Sequence, residues 1–123
     1  MSASMADDGG SWFVVQRVRD IDVIEFTNDA LLDQANIERM GDELVSLVER
    51  AGHPKLVISF SNVQSVSSAV LGVLIATHKK VKNLKGELRL ASISERIIEV
   101  FKLTRLDKML KIYKTTDEAL LRF

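Results

Sequence analysis

Ser65-Val66-Ser67-Ser68-Ala69-Val70-Leu71-Gly72-Val73-Leu74 is where a polar, serine-rich joint turns abruptly into apolar sequence. The serines can cap a helix by accepting hydrogen bonds from amides one turn ahead, and the helix predicted behind them runs from about Ala69 to Leu84. Val70, Leu71, Val73, Leu74 and Ile75 make its first turns apolar nearly all round. That end is therefore either wholly buried or a sticky patch. Gly72 lies inside the helix, at a cost of about 1 kcal/mol relative to alanine, and four residues after Ser68, so it bares backbone beneath that hydroxyl. Two causes are open at this point: a close partner surface, or tight packing on a sheet.

Working outward, Leu56 to Phe60 is a short apolar run of strand length behind Pro54, and reads as a central strand. Upstream, Asp33 can cap a helix to about Ala51, with Ile37, Met40, Leu44, Leu47, Val48 and Ala51 at helical spacing and Gly52 as the stop. Trp12–Val18 and Ile21–Phe26 are β-rich runs joined by Arg19-Asp20, a hairpin pattern. Downstream, Lys79, Lys80, Lys82 and Lys85 suit the negative end of the helix macrodipole, and Gly86 closes it. Glu87–Ala91 is a strand, Ser94 caps a helix through Phe101, Leu106–Leu110 is a turn or short helix, and Lys111–Tyr113 a short strand. Thr115 or Thr116 caps a last helix to Leu121. The order β-β-α-β-α-β-α-β-α predicts an α/β fold with a mostly parallel mixed sheet of about five strands and helices packed against it. Residues 1–10 read as a disordered lead, and 11–123 as a single domain.

Composition removes whole classes of function. Lysine plus arginine balances aspartate plus glutamate at 17 each, whereas a duplex-binding domain shows a basic excess; no nucleic-acid partner is expected. No cysteine is present, so disulfides and thiolate chemistry drop out. With no HExxH pattern either, no metal site is expected. No run approaches the roughly 20 apolar residues of a membrane span, and the N-terminus lacks the charged and apolar regions of a signal peptide, so the expected location is the cytoplasm. His53 before Pro54 and His78 on an apolar helix face have no nucleophile or carboxylate at a catalytic spacing. Asp20 and Asp22 flank a turn, which explains them without acid–base work. Gly72 and Gly86 are isolated, so no phosphate-binding loop or cofactor is expected. A binding module, not an enzyme, is the reading that remains.

The Ser65–Leu74 stretch and its surroundings resemble the STAS family, the fold of bacterial anti-sigma factor antagonists. That family has a strand ending near D-x-S and a loop of the form [FY]-[IM]-D-S-S-G-L-G-x-L opening a helix. Here Leu56-Val57-Ile58-Ser59-Phe60-Ser61-Asn62-Val63 matches the strand and its exit. Val100-Phe101-Lys102-Leu103-Thr104-Arg105-Leu106-Asp107-Lys108-Met109-Leu110 is similar to the family's F-x-x-T-G-L stretch, and Asp117-Glu118-Ala119-Leu120 to its final helix. The resemblance implies a protein partner, an anti-sigma factor of serine-kinase type, docking on Ser65, Ser67, Ser68, Ala69, Val70, Gly72 and Val73.

In phosphoregulated members the kinase modifies the second serine of D-S-S-G. Amides at a helix N-terminus tolerate the phosphate, while its charge of about −2 spoils docking. The gapless match puts Ser67 at the aspartate, Ser68 at the first serine, Ala69 at the acceptor and Val70 at the following glycine; Ser59 replaces the aspartate of the preceding strand. Alanine cannot accept a phosphate, so the switch is expected to be absent or displaced to Ser68 or Ser67. A one-residue shift restores Ser68 as acceptor but breaks the match of Leu71-Gly72. The alternative is a STAS scaffold subunit of a signalling assembly, or an accessory subunit of a transporter, with homo-oligomerisation possible in either case.

Overall fold

A computed structural model of the chain describes residues 12–28, 30–121 and 123; the N-terminal lead expected over residues 1–10 lies outside them. Strands β1 (Phe13–Val18) and β2 (Ile21–Phe26) form the expected hairpin, with Arg19 at φ 58° in its turn. A two-residue β3 (Ala30–Leu31) precedes α1 (Gln34–Ala51). Then follow β4 (Lys55–Ser59), a two-residue β5 (Ser65–Val66), α2 (Ser68–Asn83) and β6 (Glu87–Ala91). The chain finishes with α3 (Glu95–Leu103), α4 (Leu106–Met109), β7 (Lys111–Tyr113) and α5 (Thr116–Leu120). The main sheet has the order β1-β2-β4-β6-β7, antiparallel at β1–β2 and parallel elsewhere, with β4 central as expected.

Local chemistry accounts for the helix starts. The Asp33 carboxylate accepts from the amide of Ala35 at 3.1 Å, the Ser94 hydroxyl from that of Ile97 at 3.4 Å, and the Thr115 hydroxyl from that of Glu118 at 3.1 Å. Thr115, not Thr116, is therefore the last cap. Gly52 ends α1 at φ 76°, a conformation open to glycine at no steric cost. Arg105 takes a left-handed conformation between α3 and α4, at φ 62°, where the family pattern carries glycine.

Strand alternation splits the apolar residues between two faces. Ile24, Phe26, Leu56, Ile58, Leu88 and Leu90 meet Ile37, Met40, Leu44 and Val48 of α1, Val70, Leu74 and Val81 of α2, and Ile97 and Phe101 of α3. Phe60 joins this core edge-to-face with Phe26 at 5.2 Å and Phe101 at 6.5 Å. Each large side chain fully buried here contributes about 1.5–3 kcal/mol. The opposite face is thinner: Ile21, Val23, Val57 and Ala91 are covered by Ala119, Tyr113, Leu120 and Phe123.

Three sequence expectations change. Ser65–Val66 is not a bare joint but pairs in parallel with Ala30–Leu31, Ala30 opposite Ser65 and Leu31 opposite Val66. The second long helix begins at Ser68, not Ala69. Ala51, placed in the core by periodicity, is exposed as the last residue of α1, next to the Gly52 cap.

Candidate functional site

The β3–β5 bridge fixes where α2 begins. The Ser67 amide donates to the Leu31 carbonyl at 2.9 Å, and the Val70 amide to the Ser67 carbonyl at 3.1 Å. Ser67 is the N-cap in backbone terms, at φ −92° and ψ 168°, but its side chain makes no capping bond. Its hydroxyl is buried without a hydrogen-bond partner. This corrects the expectation that the serine hydroxyls cap α2.

The loop residues separate by exposure. Val70 and Leu71 are buried, with Leu74 behind them at 0% exposure, so the apolar start of α2 is anchored in the core and is not a sticky patch. Ser65, Ser67, Ala69 and Val73 are half-buried, while Ser68 and Gly72 are exposed. A Cβ placed on Gly72 would find nothing within 4 Å. Tight packing on the sheet, one of the two causes open for this glycine, is thereby ruled out. Close packing belongs instead to Gly41 of α1, where a Cβ would lie 3.0 Å from Val73 Cγ2. Ser68 and Gly72 are one turn apart, so they share one outward face.

The tertiary structure adds residues that the sequence reading left out. Leu32, 56% exposed, follows the strand that pairs with β5. Glu38, Gly41 and Asp42 of α1 line a groove with Ala69, Gly72 and Ala76 of α2. The spare leucine in Ala30-Leu31-Leu32 was the one available signal for Leu32: a strand of such length can bury only alternate residues. At the end of β4, where the family has aspartate, Ser59 is buried and its hydroxyl donates to Ser61 Oγ at 3.3 Å. Ser61 Oγ in turn donates to Glu25 Oε2 at 3.1 Å, and Asn62 reaches the Phe26 carbonyl at 3.4 Å. These bonds tie the β4 exit to β2.

The two carboxylates that flank the hairpin turn have structural partners. Asp20 pairs with Lys55 at 2.8 Å and Asp22 with Arg17 at 3.5 Å; the Lys55 hydrogen bond holds the Asp20 carboxyl below its usual range. Among the described residues there is no group of three or more His, Cys, Asp or Glu side chains placed to hold a metal ion. Nor is any helix among them long and apolar enough to cross a membrane.

His78 and Glu87 make stability depend on pH. Burial, and then Lys82, pushes His78 below its ordinary value of 6.5, and its Nδ1 is buried without a partner. Burial alone would raise Glu87, but hydrogen bonds from Arg89 and Lys111 hold it below 4.5. In both cases the folded state binds fewer protons than the unfolded chain. Each contribution is therefore complete above the unfolded pKa and is lost as pH falls through the lowered folded value. Tm should fall in two stages on acidification, the first below 6.5 and the second below 4.5. In His78→Gln the first stage should flatten; an unchanged first stage would show that His78 is not its source.

The family model for the STAS domain matches residues 13–119. An anti-sigma-B factor antagonist of Bacillus subtilis is 37% identical over 71 residues, covering 58% of this chain and 63% of that one. A Thermotoga neapolitana protein, provisionally named an anti-sigma factor antagonist, is 39% identical over 69 residues, 56% of this chain and 61% of its own. The matched region thus spans about three-fifths of these relatives' length. A solved structure of an anti-sigma-factor antagonist (STAS) domain protein from Planctomyces limnophilus superposes with a TM-score of 0.81 at 25% identity, covering 89% of this chain and 95% of that one. The element order, the parallel sheet and a family match over nearly the whole described chain lead to one conclusion: this chain belongs to the STAS domain family.

Proposed function

We propose that this chain is an anti-sigma factor antagonist-like regulator that works in the cytoplasm by binding, not catalysis. Its partner is an anti-sigma factor of serine-kinase type, docked on the Ser65–Val73 loop and the first turns of α2. One observation carries the reading: Gly72 is exposed in the middle of a helix, one turn from exposed Ser68, with nothing inside the molecule that needs its missing side chain. A helix gives up about 1 kcal/mol for such a glycine, and close approach of a partner backbone is what the bare position allows. The names of the relatives, as anti-sigma factor antagonists, support an anti-sigma factor as the partner.

In this reading the family's phosphoserine switch is missing at its usual position, since Ala69 stands there. Of the two displaced candidates, Ser68 is exposed and the Ser67 hydroxyl is buried, so a kinase would reach Ser68. The test is calorimetric binding to the anti-sigma factor that co-purifies with the chain. Ser68→Asp and Gly72→Arg should each weaken it by about tenfold or more, equivalent to about 1.4 kcal/mol. Unchanged affinity in both variants removes this face as the interface. Incubation of the wild type with that partner and ATP, followed by intact-mass measurement, should leave the mass unchanged; one added phosphoryl group mapped to Ser68 would mean the switch is displaced, not lost.

A further inference from the structure

The groove between α1 and α2 has a volume of about 470 Å³, and its lining contains two carboxylates, Glu38 and Asp42, and no cation. Its floor is open because Gly41, Ala69, Gly72 and Ala76 carry little or no side chain. Glu38 and Asp42 stand one turn apart on α1, about 6 Å along the axis, and like charges at that spacing destabilise a helix. Among the described residues neither forms an ion pair or a side-chain hydrogen bond. Elsewhere the same two helices do pair their charges: Lys80 of α2 meets Glu49 of α1 at 2.9 Å, beyond the end of the groove. In a chain with no formal net charge, this open slot keeps two uncompensated negative charges beside an exposed glycine that no internal contact explains.

We propose that the groove seats a basic helix of a protein partner. Two cationic side chains of that helix, one turn apart, lie against Glu38 and Asp42, and a small apolar side chain rests over Gly72. The observation specific to this occupant is charge complementarity: an acidic rim of matching spacing along an apolar floor selects a cationic amphipathic helix over an acidic or purely apolar one. The proposal rests on the reading of α2 as the docking face and extends that face onto α1, naming the chemistry of what binds there.

The test uses the full chain, isotope-labelled, and two defined peptides. One is an amidated alanine- and leucine-based helix with two arginines one turn apart; the other has glutamates in their place. The arginine peptide should shift the amide signals of Glu38, Gly41, Asp42, Ala69, Gly72 and Ala76 at low salt. Its affinity should drop about tenfold or more in the double variant Glu38→Gln/Asp42→Asn, whose neutral side chains suit an exposed helix, and should also drop in Gly72→Leu, which fills the floor. Equal binding of the glutamate peptide, retained affinity in the double variant, or shifts centred away from the groove would overturn the proposal. So would concentration-dependent self-association in light scattering that the double variant abolishes, because the occupant would then be a second copy. Calorimetry with the co-purified anti-sigma factor separates the two readings. Loss with Ser68→Asp but not with Glu38→Gln/Asp42→Asn rejects the groove and keeps the loop; the reverse pattern keeps the groove and rejects the loop.

Discussion

Gly86→Ala should cost about 3 kcal/mol of stability, at the upper end of what overpacking a dense site does. The reason is geometric. A Cβ built on Gly86 would stand 2.0 Å from the Pro54 carbonyl oxygen, 2.9 Å from its carbonyl carbon and 2.8 Å from its Cγ. The first two are backbone atoms and cannot swing aside as a flexible side chain would. That same carbonyl accepts from the Glu87 amide at 2.9 Å, and the Gly86 amide donates to Val81 at 2.9 Å, so α2, β6 and the start of β4 are cross-tied at this point. Relief of the clash must break one of these ties or pull β6 out of register with β4. With roughly 4 °C lost per kcal/mol for a domain of this size, Tm should fall by about 12 °C. A loss below about 1 kcal/mol in chemical denaturation would show that the backbone here yields more easily than the contacts imply. A histidine-level effect such as His78→Gln provides the contrast, since it removes no cross-tie.

Arg89→Met should cost about 3 kcal/mol, as expected when one partner is removed from a buried charged network, and should loosen α5 first. Arg89 lies mid-strand in β6 and is 6% exposed. Its Nη1 donates to the carbonyls of Ala119 at 2.9 Å and Leu121 at 2.6 Å, and its Nε donates to Glu87 at 2.5 Å. The guanidinium also stands over the rings of Phe123 at 4.3 Å and Tyr113 at 5.2 Å, contacts worth about 0.5–2 kcal/mol for a desolvated cation. Methionine keeps most of the apolar stem but withdraws every donor, leaving two carbonyls at the end of α5 unsatisfied. Among the described residues Glu87 would keep only Lys111, at 3.2 Å. Amide exchange should therefore accelerate in α5 before the main core, whose residues lie on the other sheet face. Lysine at this position should rescue only in part, because a point charge cannot reproduce the planar fork. Binding of the proposed anti-sigma factor partner should be unaffected while the variant remains folded, since α2 lies across the sheet from α5. Stability within about 1 kcal/mol of wild type would mean that the thin second face is held by its apolar contacts alone.

Most of the elements could be read locally because the signals that set them are local. The hairpin follows from two alternating runs around Arg19-Asp20, α1 from Asp33 and a helical apolar stripe, and α3 and α5 from Ser94 and Thr115. Each of these rests on a side chain within a few residues of the backbone it satisfies. Two features were invisible for the opposite reason. The β3–β5 bridge joins residues 35 positions apart (Ala30 to Ser65), and two residues are too few to show a period. Arg89 reads in sequence as one polar residue within Glu87-Leu88-Arg89-Leu90-Ala91; nothing nearby indicates that its partners are the carbonyls of the last helix.

For the proposed binding face, the sequence alone supplied the family resemblance, the Ser65–Val73 stretch as a candidate and the alanine at position 69, because residue identity and order carry all three. Which of those residues meet solvent was decided by tertiary structure. The bridge to Leu31 sets where α2 starts and how it is rotated, and rotation about the helix axis alone separates exposed Ser68 and Gly72 from buried Val70 and Leu71. The same docking of α2 against Gly41 of α1 creates the groove beside Glu38 and Asp42, a surface that belongs to neither helix until the two are packed together.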